Sequence, residues 1–122
     1  MATTVSEYPR VLSASTLENE KVVNAAGESL GTIEDYMIDL NNGRIAYCVL
    51  SFGGFLGMGD KLFAIPWQAM ALDTENKRFI LNIDKERLKN APGFDQDHWP
   101  DTTNPEWGSS IYKFYGVRPY WE

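Results

Sequence analysis

Three carboxylates and the only histidine of the chain fall within seven residues: Asp95, Asp97, His98 and Asp101. Oxygen donors at near-alternating positions suit calcium, and an imidazole adds a donor for a transition metal. The run lacks the glycine and the distant bidentate glutamate of an EF-hand loop. A solvated acidic loop is therefore the favoured reading, and no metal or other cofactor is expected. Asp39-Leu40-Asn41-Asn42-Gly43 also looks like the start of a calcium loop. A hairpin turn uses every residue of it, with Asp39 as an Asx-type cap and Gly43 at a left-handed position. Gly53-Gly54-Phe55-Leu56-Gly57-Met58-Gly59-Asp60-Lys61 invites a phosphate-loop reading. A Walker loop needs adjacent Gly-Lys followed by Ser or Thr, whereas Asp60 intervenes here and Leu62 follows. The segment is expected to be a glycine-hinged β-loop whose apolar tip, Phe55, Leu56 and Met58, is a candidate partner contact.

Nucleophilic chemistry finds little support. A single histidine leaves one imidazole base, and no Gly-x-Ser-x-Gly elbow accompanies it. Ser51 lies in an apolar stretch, and Cys48, between Tyr47 and Val49, has no nearby cation to lower its pKa, so a structural thiol is expected. Glu34 and Asp35 alternate across a strand and do not face one substrate unless a bulge intervenes. The chain is expected not to be an enzyme.

These residues must be positioned by short strands. Ser29 to Phe52 reads as two strands joined by Asn41-Asn42-Gly43, since Asn-Gly tolerates the positive φ that tight hairpins need. The second strand is apolar on both faces, with Ile45, Tyr47 and Val49 on one and Ala46, Cys48, Leu50 and Phe52 on the other. Such a strand must be covered on both sides, within one fold or across a subunit interface. Tyr47 and Val49 are thus candidate interface residues. In the first strand Ile33 fits one parity while Tyr36, Ile38 and Leu40 fit the other, which places a bulge near Glu34-Asp35. Further strands are expected at Lys21–Asn24, Leu62–Ile65 and Arg78–Ile83, with helical turns near Ser15, Trp67 and Asp84–Asn90. Short strands between turn signals indicate a small antiparallel barrel or sandwich.

The hairpin and its neighbours resemble the PRC-barrel family. The residues that carry the resemblance are Gly31-Thr32-Ile33-Glu34-Asp35, Ile38-Asp39, Asn42-Gly43-Arg44-Ile45-Ala46-Tyr47, Gly53-Gly54, Gly57, Gly59, Lys61, Ala64-Ile65-Pro66-Trp67 and Ala91-Pro92. The resemblance spans roughly residues 12 to 92. It implies a mainly β fold: a small antiparallel PRC-type β-barrel with short helical turns. The division expected is a flexible N-terminus at 1–10, a barrel domain at 11–92 and an extension at 93–122. That barrel is similar to the cytoplasmic domain of the photosynthetic reaction-centre H subunit and to a domain of a ribosome-maturation factor, both of which hold other proteins. This chain shows neither the membrane helix of the first nor the RNA-processing domain of the second. The resemblance implies a non-enzymatic protein-interaction or adaptor barrel that forms a homodimer and holds an unidentified protein partner. The alternative is a small-ligand or metal-binding barrel using the Gly53–Lys61 loop or the Asp95–Asp101 loop.

Ala91 to Glu122 holds eight of the sixteen aromatic residues and four of the six prolines. An aromatic-rich, loop-rich extension is expected, wrapped over the barrel or over a partner subunit, or serving as a partner-binding strap. Trp107, Tyr120 and Trp121 are its candidate anchors.

The chain has 122 residues, 43% hydrophobic, which is enough for one domain with a core. Eleven Lys and Arg against seventeen Asp and Glu give a net charge of -6 and a pI near 4.7. Phosphate backbones need a cationic footprint, so no nucleic-acid partner is expected. The N-terminus lacks the pattern of a signal peptide, and no apolar run approaches the ~20 residues of a membrane span. A lone cysteine fits a reducing compartment, and a cytoplasmic location is expected.

Overall fold

The computed structural model describes residues 11–53, 60–95, 97–101, 104–119 and 121. The N-terminal segment 1–10 expected to be flexible lies outside them. The strands are β1 (Lys21–Val23), β2 (Ser29–Asp39), β3 (Arg44–Gly53), β4 (Asp60–Pro66), β5 (Met70–Asp73), β6 (Arg78–Leu81) and β7 (Gly93–Phe94). The helices are α1 (Lys85–Lys89) and α2 (Pro105–Tyr115), with 3-10 turns at Ala14–Leu17 and Trp67–Ala69.

Among the described residues the strands form one sheet in the order β5-β6-β1-β2-β3-β4-β7. Its ends, β5 and β7, do not pair with each other, so the sheet does not close into the expected barrel. The pairing is antiparallel except between β1 and β6, which run parallel.

The β2–β3 turn follows from local chemistry. The Asn41 amide donates to Asp39 Oδ1 at 2.9 Å, the Gly43 amide donates to the Asp39 carbonyl at 2.8 Å, and Gly43 sits at φ +68°. A side chain there meets strain, not a clash, because nothing lies within 4 Å of a Cβ added to Gly43.

Two bulges set the faces of this hairpin. The register passes from Ile33↔Leu50 to Asp35↔Val49, which leaves Glu34 as the extra residue where the parity change of β2 requires one. It passes again from Met37↔Tyr47 to Ile38↔Ile45, which leaves Ala46 unopposed on β3. This second bulge corrects the simple alternation of β3. Ile45 turns to the side of Cys48, Leu50 and Phe52, and Ala46 joins Tyr47 and Val49.

The first face of the sheet carries the main core, in which Leu30, Ile33, Leu50, Phe63, Ile65, Phe79 and Leu88 are all but fully buried. Cys48 lies in this core, and desolvation pushes its thiol from an ordinary 9.0 up to about 12. Desolvation likewise raises Tyr36 and Tyr115 above the ordinary tyrosine value. All three groups are held in their neutral forms, so unfolding releases protons once the unfolded groups ionise. Stability lent by Cys48 is present below pH ~9 and is lost as pH rises toward its folded value. Thermal melts are expected to be level between pH 7 and 8 and to fall progressively above pH ~9.

Candidate functional site

The second face of the sheet decides where a partner can act. Tyr47 and Val49 of β3 and Leu62 and Ala64 of β4 form an apolar strip on that face. They are not on the surface. Val49 and Ala64 are wholly buried and Tyr47 is 8% exposed, because α2 of the same chain lies over them. Tyr47 and Val49, the candidate interface residues of β3, are covered within the chain: Ile111 is buried among them, and the Trp107 ring meets Tyr47 edge to face at 5.4 Å.

The tail residues form α2 for readable reasons. Asn104 caps the first turn by accepting from the Glu106 amide at 2.9 Å, and Pro105 occupies the first turn, where its missing N–H costs nothing. Gly116 adopts the left-handed conformation that ends the helix, and the Val117 amide donates to the Tyr112 carbonyl. Trp107 and Ile111 are spaced by four, so both face the sheet. Within the expected loop-rich extension, Pro105–Tyr115 is therefore helical.

Two further contacts tie this helix to the sheet domain. The Tyr112 hydroxyl donates to the carbonyl of Ala46, the bulge residue of β3. Arg87 of α1 donates from Nη2 to the Phe114 carbonyl at 2.8 Å, and its guanidinium lies 5.0 Å from the Phe114 ring centroid. Ile111 and Arg87 were not singled out from sequence. The Asn-Pro start, the Gly116 stop and the i, i+4 spacing were the signals that could have found the helix.

The other candidate residues are scattered. Trp121 is 49% exposed and rests edge to face on Tyr112 at 5.2 Å. Trp99, 41% exposed, packs on Phe94 at 5.0 Å. Phe55, Leu56, Met58 and Tyr120 lie outside the described residues. Asp95, Asp97, His98 and Asp101 are all exposed, and among them His98 Nδ1 approaches Asp95 Oδ2 at 3.8 Å. No group of three His, Cys, Asp or Glu side chains able to hold a metal occurs among the described residues. Cys48 and Ser51 are buried in β3.

What remains open is the far end of the β2–β3 hairpin. β1 pairs with β2 only over Ser29–Thr32, and β4 pairs with β3 only from Tyr47 onward. Residues beyond these limits are paired only with each other, as a two-stranded ribbon. On this ribbon Leu40 is 92% exposed and Ile38 57%. Large apolar side chains held in water at the end of a ribbon form a surface suited to burial against another polypeptide.

Comparison with known proteins adds the following. The sequence matches the PRC-barrel domain profile over residues 9–88. No curated protein matches it. A solved structure described as the 16S ribosomal RNA processing protein RimM from Pseudomonas aeruginosa is similar at 21% identity with a TM-score of 0.42. The match covers 68% of this chain and 49% of that one, about half its length. Among the described residues no helix is long and apolar enough to cross a membrane.

Proposed function

This chain belongs to the PRC-barrel domain family, and from that premise we propose a non-enzymatic interaction module that works as a homodimer and holds a further protein. The observation that carries this reading is the exposed apolar end of the β2–β3 ribbon, Ile38 and Leu40. Each buries on the order of 2 kcal/mol of transfer free energy if fully covered, and a two-fold contact counts every side chain twice. The strip at Tyr47 and Val49 serves a different purpose, because the tail helix already occupies it. Trp121, half exposed on Tyr112 of α2, and Trp99, half exposed on Phe94 of β7, supply further apolar surface for the further protein.

Sedimentation velocity at tens of micromolar tests the reading. The native chain is expected to run as a dimer, and Ile38→Lys/Leu40→Lys as a monomer that keeps the native circular dichroism spectrum. A monomeric native chain removes the homodimer, and a double variant that still dimerises removes the ribbon as its interface.

A further inference from the structure

The end of α2 forms one wall of a cleft of about 620 Å³, a volume in the range of small-molecule sites. The opposite wall is the β6–α1 connection with the first turn of α1, and the 3-10 turn at Trp67–Ala69 closes one end. The walls are joined through Arg87, whose hydrogen bond to the Phe114 carbonyl and stacking on the Phe114 ring fix the guanidinium in place.

The lining differs in charge from the rest of the molecule. Arg87 and Lys113 stand against one carboxylate, Asp84, so the cleft carries +1 in a chain of net charge -6. Arg87 uses one donor on Phe114 and has four more N–H groups to offer. Lys113 is exposed and has no ion pair among the described residues. Ile83, Phe114 and Val117 supply apolar lining between these polar groups. Tyr115 also lines the cleft, and its hydroxyl is buried without a hydrogen-bond partner among the described residues.

We propose that this cleft binds a small amphipathic anion, with an apolar body against Ile83, Phe114 and Val117 and a carboxylate or sulfonate head at Arg87 and Lys113. Asp84 sets the polarity of the site: it disfavours a second acidic group on the ligand. The site needs the tail as well as the sheet domain, because residues 81–87 and 113–117 form it together.

Fluorescence titration of the full chain with 1-anilinonaphthalene-8-sulfonate tests this. The dye carries one sulfonate on an apolar body, and for a molecule of its size a dissociation constant on the order of tens of micromolar is expected. Lys113→Glu inverts the lining charge and is expected to weaken binding roughly tenfold with an unchanged circular dichroism melt. Leu40→Lys, at the far ribbon, is expected to leave binding unchanged. Decanoate is expected to displace the dye and decylamine is not. No saturable signal, equal affinity in Lys113→Glu, loss of binding in Leu40→Lys, or equal displacement by decylamine would each overturn the proposal.

Discussion

Ile111→Asp is expected to cost about 4 kcal/mol or more, since it removes a buried aliphatic side chain and places a carboxylate against Val49, Leu62 and Ala64. Ile111 is 1% exposed, so the new charge has no route to water unless the helix lifts. Lifting α2 breaks the Trp107–Tyr47 contact and the Tyr112 hydroxyl bond to Ala46 as well, and it exposes the apolar strip of β3 and β4. The loss is a large fraction of a domain stability of ~5–15 kcal/mol. Urea denaturation followed by far-ultraviolet circular dichroism measures it. The variant is also expected to associate at concentrations where the native chain keeps one oligomeric state, because the uncovered strip is apolar and flat. A cost below ~1 kcal/mol with unchanged association would mean that α2 does not seal this face.

Gly31→Ala is expected to be the other severe substitution. Gly31 sits at φ +133°, a conformation side chains avoid, and a Cβ there would lie 2.1 Å from the Ser51 carbonyl oxygen and 3.1 Å from its carbon. Both are backbone atoms of β3, so no side-chain rotation relieves the overlap. The two strands must separate where β2 has just passed its first register shift, between Val22↔Gly31 and Val23↔Ser29. A cost above ~3 kcal/mol is expected from strain and overpacking together. Gly43→Ala supplies the comparison, because φ is also positive there but no atom stands within 4 Å. Its cost is expected to be about 1 kcal/mol. Equal melting temperatures for the two variants would mean that the contact with Ser51 is not the cause.

The strands were readable because their signals are local. Asn42-Gly43 marks the turn, Pro66 ends β4, and the shift of parity between Ile33 and Tyr36 locates the bulge at Glu34. The bulge at Ala46 was not readable. Ile45, Ala46 and Tyr47 are all apolar, so no polar residue marks the slip, and the face of Ile45 is decided by its pairing with Ile38. The helix within the tail was missed for a related reason. Its prolines and aromatics suggested a loop, although Asn104, Pro105 and Gly116 bracket a helix and Trp107 and Ile111 share its inner side. The open sheet is likewise a long-range property, since it depends on which strands meet β5 and β7. The exposed apolar end of the hairpin was present as Ile38 and Leu40, but only the limits of β1 and β4 show that these two residues reach beyond the sheet.

Closure of the second sheet face within one chain is tested most directly by isotope-edited and isotope-filtered NOE spectra. The sample is an equal mixture of ¹³C-labelled and unlabelled protein. Contacts from Trp107 to Tyr47 and from Ile111 to Val49 are expected in the edited spectrum, within the labelled chain, and are expected to be absent from the filtered spectrum. The same contacts appearing between labelled and unlabelled chains would contradict a cover supplied by the chain's own helix.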